Sequence, residues 1–259
     1  MSGTDGIDYE VDDHIATITI SRQERMNSLD DAAHRAMDAA FAAAEADHEV
    51  RVIVLTGAGG RAFCAGADLK AEPDESGPRV SFGAITGVSG PARHVSKPII
   101  AAVRGHVIGG GFELAAACDI IVASAGSLFS MPEGVLGFLV ESPVGHRSVR
   151  QLPFHIALEM ALVGRRISAE EAAHWGFVNH VVSDDEVLPL SRRLAATIAS
   201  LSPLAIAAYR DTLVSRAGWP LEVALATRNE RIEQYQRSAD RSEGIAAYRE
   251  GREPRWTGR

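Results

Sequence analysis

Hydrophobic and polar residues alternate over residues 14–20 (HIATITI), and the β-branched content of that run predicts a strand. The period then changes. Leu29, Ala33, Met37, Ala40, Phe41 and Ala44 recur at spacings of three and four, so an amphipathic helix is expected as far as about Ala46. Its start reads as a capping box, with Ser28 accepting from the amide three residues on and Asp31 reaching back. Residues 50–56 (VRVIVLT) are almost continuously apolar, as a strand covered on both faces must be. The β-α-β order then repeats, with strands expected at 98–103 and 119–123 around a helix at 109–118. From Ser168 onward helices dominate. Ser168 and Glu171 form a second capping box before a helix reaching Trp175, and 177–182 is a short strand. Helices follow over 184–200 and 203–216, then one long charged helix over 222–238. The chain therefore divides into an α/β core over 1–190 and a helical region over 191–259.

Glycine-bearing loops at 57–67, 83–91 and 105–111 separate these units. Residues 71–91, rich in Pro, Gly, Ser and charge, are the expected mobile segment. A hydrophobic content of 46% and a charged content of 23% exclude a disordered chain, and a net charge of −8 leaves no basic field for nucleic acid. Lys occurs only at 70 and 97, which makes both worth locating. Cys64 and Cys118 are too few for a disulfide framework or a four-cysteine zinc site. The N-terminal residues are acidic with no apolar leader, and no apolar run approaches the roughly 20 residues of a membrane span. A cytoplasmic protein with no membrane partner is expected.

Four segments could carry chemistry. Residues 57–62 (GAGGRA) fit the dinucleotide fingerprint loosely, but FCAG rather than a helix follows, so Gly57 and Gly60 read better as turn residues. Residues 62–70 (AFCAGADLK) form a small-residue loop that close packing and a cap at Asp68 would also explain. Gly109, Gly110 and Gly111 open a helix whose first amides lack intrahelical partners, and Glu113 follows in an otherwise apolar stretch. In isolation such a Glu serves the orphan amides of the first turn. The fourth segment, 131–137 (MPEGVLG), holds Glu133 in apolar surroundings.

Taken together and in order, these segments resemble the crotonase (enoyl-CoA hydratase/isomerase) superfamily. The resemblance rests on residues 22–27, 62–70, 97–120 (KPIIAAVRGHVIGGGFELAAACDI), 129–137 (FSMPEGVLG) and 164–182 (GRRISAEEAAHWGFVNHVV). Within it, the FGAITG stretch, the GGGFELA helix and the closing GREPRWTGR look most like carnitinyl-CoA dehydratases. The fold implied is the ClpP/crotonase-like α/β spiral of β-β-α units, with a helical C-terminal region that covers the site and mediates trimerisation. The activity implied is hydration of 2-enoyl-CoA thioesters, or the reverse dehydration. A double-bond isomerase using Glu133 or Glu141 is the alternative, and a non-catalytic acyl-CoA-binding paralogue is a second one.

The same resemblance distributes roles. The amides of Ala67 and Gly110 form an oxyanion hole for the thioester oxygen, where each donor is worth about 3 kcal/mol. Glu113 orients and deprotonates the water that attacks C3, and Glu133 exchanges the proton at C2. Two carboxylates around one water cannot both ionise comfortably, so one should titrate high. Hydratases usually continue G-x-x-P-G-x-G-G after the second glutamate. Here residues 137–147 read GFLVESPVGHR, which puts the acyl-pocket wall in new hands. Glu141 falls where dienoyl-CoA isomerases carry an acid that moves a distal proton; its other reading is a solvated loop carboxylate. His146 is given a structural or surface role. The CoA adenine is set against the backbone around Ala65, Ala67 and Leu69, with Asp68 in the same loop. Arg25 and Lys70 take the phosphates. Tyr248 and Arg252 approach a neighbouring subunit's nucleotide, although the family's usual Lys is Gly251 here. CoA enters only as part of the substrate, no metal or prosthetic group is needed, and a homotrimer or a hexamer of two trimers is the family habit. Cys64 and Cys118 are read as packing residues, not nucleophiles.

Overall fold

The structure, a computed structural model, describes residues 5–74, 80–137 and 144–259. Strands β1 (Ile7–Asp12) and β2 (Ile15–Ile20) lead into helix α1 (Asp31–Ala46), followed by β3 (Val52–Gly57) and β4 (Ala62–Cys64). Next come β5 (Ile99–Val103), β6 (His106–Ile108), α2 (Gly110–Ala116), β7 (Ile120–Ser124), β8 (Leu128–Ser130) and α3 (Glu133–Leu136). Helices α4 (Val144–Gln151) and α5 (Phe154–Val163), strand β9 (Arg166–Ser168), helix α6 (Ala169–His174) and strand β10 (His180–Val182) follow. The chain then turns helical through α7 (Val187–Ala199), α8 (Pro203–Ser215), α9 (Leu221–Ala226), α10 (Glu230–Gln236) and α11 (Ala239–Glu250).

From β3 to β8 successive strands alternate between two sheets, one ordered β1-β2-β3-β5-β7-β10 and the other β4-β6-β8-β9. Each circuit of the chain adds one strand to each sheet, which is the expected spiral. In the larger sheet every pair is parallel except β1 with β2. Strands β3 and β5 are buried along their whole length. Their alternate residues serve two cores. Ile53, Leu55, Ile99, Ala101 and Val103 face the main core, where Phe41, Phe63, Phe112 and Phe129 are also enclosed. Val52, Val54, Ile100 and Ala102 face the other way, onto Val187, Ala195 and Ala199 of α7. Burying Val187 there is worth about 2 kcal/mol. The division expected at residue 190 thus falls inside α7, a helix that covers the large sheet.

The amphipathic face of α1 is as expected: Ala33, Met37, Ala40, Phe41 and Ala44 are buried. Its cap is not. Asp30 accepts from the amide of Ala33 at 2.9 Å, in place of Ser28. The cause lies in residues 28 and 29, which are tied down in extended form. The Ser28 carbonyl accepts from Arg22 Nε, and Leu29 pairs with the loop at Ala67. At the other end of α1, Lys97 Nζ donates to the carbonyls of Ala44 and Asp47, a cation against the negative end of the helix. The Ser168 cap holds, accepting from the Glu171 amide at 3.1 Å.

Two expectations are corrected. The long helix over 222–238 is broken after Ala226, because Asn229 caps α10 through Oδ1 while its Nδ2 reaches Asp211 and Thr212 on α8. The expected mobile segment, 71–91, is packed over its later part: Ser81, Phe82, Ala84, Ile85, Thr86 and Val88 are buried, while 75–79 lie outside the described residues. Ser81 Oγ donates to the Ala84 carbonyl and Thr86 Oγ1 to that of Phe82 at 2.6 Å each, so polar side chains replace the missing ladder bonds. No helix among the described residues is long and apolar enough to cross a membrane.

The C-terminal tail is held by one buried carboxylate. Asp240 accepts from Ser202 Oγ, from the amides of Thr257 and Gly258, and from Thr257 Oγ1. Asp240→Ala leaves those donors without an acceptor and should cost about 3 kcal/mol. Urea unfolding followed by circular dichroism checks the loss, and hydrogen exchange at residues 256–258 should rise with it.

Candidate active site

Strand β4 delivers the loop 65–70, and a parallel bridge between Ala67 and Leu29 fixes its course. Leu29 donates to the Gly66 carbonyl and accepts from the Asp68 amide, both at 2.9 Å. In that pattern the Ala67 N–H points away from Leu29, and it has no hydrogen bond among the described residues. The second loop abuts the first. Gly109, at φ +56° and ψ −118°, turns the chain from β6 into α2, a conformation that favours glycine. A methyl on Gly66 would come 3.1 Å from the Ile108 carbonyl oxygen and 3.4 Å from the Gly110 nitrogen. On Gly111 it would lie 2.0 Å from the Cys64 carbonyl oxygen, so α2 rests on the backbone of β4 itself. Gly110 is the first helical residue, and its N–H also lacks a partner among the described residues.

Glu113 lies one turn into α2 and is fully buried. Its Oε2 is 3.1 Å from Nη1 of Arg147 on α4, while Oε1, equally enclosed, has no hydrogen-bond partner among the described residues. Glu133, the first residue of α3, brings Oε1 to 2.6 Å from where a Cβ on Gly109 would sit. Both carboxylates are therefore gathered at the start of α2. Burial pushes the Glu113 carboxyl above the usual carboxylate range, Arg147 opposes that shift, and the charge of Glu133 adds to it. Burial pushes Glu133 upward too. The expectation that one of the pair titrates high becomes upward pressure on both, with a cation relieving only Glu113.

The wall beside this turn comes from the 81–88 segment. A methyl on Gly110 would strike the Phe82 ring at 2.6 Å, and that ring packs edge-on against His34 with centroids 4.6 Å apart. His34 Nδ1 accepts from the Gly83 amide at 3.2 Å. That bond requires the neutral ring, and burial lowers the His34 pKa to about 4.

The remaining candidates are placed as follows. Ala65 donates its amide to the Met26 carbonyl, and Ala67, Leu69 and Lys70 are exposed along the loop. The Asp68 carboxylate turns inward, 3.1 Å from Arg22 Nη2 and 3.9 Å from Arg25 Nε, so it sets the loop and takes up part of the Arg25 charge. Tyr248 is exposed on α11. Arg252 is engaged within its own chain by Glu243 and Glu250. Glu141 lies outside the described residues. His146 is exposed, and its carbonyl accepts from Arg150. Cys64 is buried under Gly111 with its thiol pushed up to about 12, and burial raises Cys118 as well, so neither offers a thiolate. Among the described residues no cluster of three His, Cys, Asp or Glu is placed to hold a metal. Sequence reasoning missed Arg147 and Phe82. A glutamate in an apolar helix is a signal to look for a cation, because such a group is seldom buried alone.

Comparisons with known proteins identify the family. A family model described as enoyl-CoA hydratase/isomerase matches residues 10–259. The chain is 39% identical over 251 residues to a carnitinyl-CoA dehydratase of Salmonella enteritidis, covering 95% of each protein. The corresponding protein of Proteus mirabilis is 38% identical over 241 residues, with 91% of this chain and 92% of that protein covered. Among solved structures, an enoyl-CoA hydratase of Mycobacterium marinum superposes with a TM-score of 0.89 at 38% identity, over 99% of this chain and 100% of the other. One from Mycobacterium tuberculosis gives 0.87 at 34%, with the same coverage. A glycine-hinged helix carrying Glu113 against a small-residue loop, in a chain matched almost end to end, places this protein in the enoyl-CoA hydratase/isomerase family of the crotonase superfamily.

Proposed function

We propose that this chain is a cytoplasmic lyase that adds water across the C2–C3 double bond of 2-enoyl-CoA thioesters and catalyses the reverse dehydration. The observation that carries the reading is that Glu133 reaches the Gly109 turn opening α2, the helix that bears Glu113, where the loop of the unpartnered Ala67 amide abuts the unpartnered Gly110 amide. In hydration a water lies between the two carboxylates. Its oxygen bonds to C3 while Glu113 takes its proton, and negative charge moves to the thioester oxygen. The Ala67 and Gly110 N–H groups receive that charge, and the dipole of α2 adds to the field. Glu133 then delivers a proton to C2, and the enolate collapses to the 3-hydroxyacyl thioester. Dehydration retraces these steps. Relatives named carnitinyl-CoA dehydratase and enoyl-CoA hydratase support both directions.

For the CoA portion, the 65–70 backbone faces the adenine, and Arg25 and Lys70, both exposed, neutralise phosphates. Tyr248 is offered to a neighbouring subunit's nucleotide, and Arg252, held by its own acids, adds shape more than free charge there. A homotrimer or a pair of trimers accompanies this reading. Its support is the exposed apolar surface of Tyr209, Leu213, Leu221 and Leu225 on α8 and α9.

Incubation of 2-butenoyl-CoA in isotopic water should place labelled oxygen at C3. Double-bond migration without label would instead mark an isomerase, and thioester binding with no turnover a non-catalytic paralogue. Glu113→Gln and Glu133→Gln should each lower kcat by about 10²–10⁴-fold while thioester binding persists, measured by loss of the conjugated-thioester absorbance. The two carboxylates also leave a trace in stability. With its folded pKa raised, Glu133 costs nothing below the unfolded value of about 4.3 and destabilises the fold as pH rises through the folded value. Glu133→Gln should therefore melt higher than the parent at about pH 8 and no higher at about pH 4. Sedimentation should give a species of three or six chains; a monomer at micromolar concentration would contradict the assembly.

A further inference from the structure

Arg147 meets the most deeply buried acid of the site from one side. Its Nη1 lies 3.1 Å from Glu113 Oε2 and also donates to the Thr86 carbonyl, so the packed 81–88 segment holds the guanidinium in place. A guanidinium can chelate both oxygens of a carboxylate. Here one oxygen is engaged, and Glu113 Oε1 is left buried with no partner among the described residues. A buried acceptor without a donor is costly, and in a turn that also presents Glu133 and two unpartnered amides the natural donor is a water molecule.

We propose that Arg147 is a positioning residue for the hydration step: by binding Oε2 of Glu113 it fixes the carboxylate and leaves Oε1 as the atom that takes the proton from the attacking water. The inference rests on the reading of Glu113 as the base. It also explains how two similar carboxylates acquire different work. No cation among the described residues lies within ion-pair distance of Glu133, and burial raises its proton affinity, which suits a group that supplies C2. Glu113 has its charge stabilised at one oxygen and stays basic at the other. The charged groups acting on Glu113 are Arg147 from α4 and Glu133 from α3; the 81–88 segment carries none. Lysine, a flexible point charge, would reproduce the attraction but not the planar guanidinium with its Nη1 fixed between the Thr86 carbonyl and Glu113.

The test measures hydration of 2-butenoyl-CoA against pH in the parent, Arg147→Gln and Arg147→Lys proteins. Thermal unfolding and the infrared C=O band of protonated Glu113, identified by its absence in Glu113→Gln, accompany it. Removing the cation raises the proton affinity of Glu113. The acid limb of kcat/KM should then move up by about one pH unit or more in Arg147→Gln, with kcat down about 10²-fold at neutral pH and KM little changed. The infrared band should persist to higher pH by a similar amount, and Arg147→Lys should restore part of both shifts. An unmoved acid limb and an unmoved band in a folded Arg147→Gln protein would overturn the proposal, as would a rate loss that follows melting temperature alone. Should Arg147→Gln not fold, the Arg147→Lys shifts decide. A parent protein that hydrates no enoyl-CoA would defeat the functional reading, while the infrared titration would still decide whether Arg147 controls Glu113.

Discussion

Helix α2 touches β4 with no side chain between them, and the arrangement of the site depends on that contact. Gly111 sits where any Cβ would strike the Cys64 carbonyl, and a Cβ on Gly66 would come 3.1 Å from the Ile108 carbonyl oxygen, a looser but still close approach. Spacing set by main chain on main chain is fixed by hard repulsion, which is stiffer than the packing of flexible side chains. The loop that carries the Ala67 N–H is thereby set against the turn that carries the Gly110 N–H, both unpartnered among the described residues. In the proposed hydration, such a pair of donors needs no reorganisation as charge develops on the thioester oxygen.

Such a site works against the stability of the fold. Glu113 is enclosed and Glu133 half-buried close enough to raise its proton affinity, and one Glu113 oxygen is buried without a hydrogen bond among the described residues. Each of these is a cost that an apolar residue of similar size would avoid. The compensation lies in the cores on either side of the large sheet; in the main one Phe112 stacks on Phe177 at 4.8 Å and Phe129 meets the same ring edge-on. Phe112 is the residue before Glu113. The helix that exposes a carboxylate to the site thus anchors itself through the adjacent side chain.

Much of this was legible in the sequence, for identifiable reasons. The periodicity of α1 and the unbroken apolar runs of β3 and β5 report burial directly, and the structure places those residues accordingly. Strands β4, β6, β8 and β9 contain three residues each, too short for any alternation to show, and their pairing is decided by the loops around them. The break before α10 had a local signal in Asn229, which a continuous charge pattern concealed. The resemblance pointed to Glu113 and Glu133 but could not supply Arg147. Glu113 and Arg147 are 34 residues apart with β7, β8 and α3 between them, and no local rule connects them. The 81–88 part of the 71–91 segment misled for the opposite reason. Its composition is that of a loop, yet buried side chain to backbone hydrogen bonds let it serve as wall.

Strands enclosed on both sides lack the usual mark of register, a solvent side that refuses apolar groups. In β3 the two faces differ instead in bulk, with Val52 and Val54 beneath α7 and Ile53 and Leu55 toward the aromatic interior. A slip by one position would drive the larger pair under the helix and leave voids among the rings. Steric size therefore does for this sheet what polarity does for an exposed one. Misaligned assembly intermediates would be penalised by overcrowding on one side and emptiness on the other.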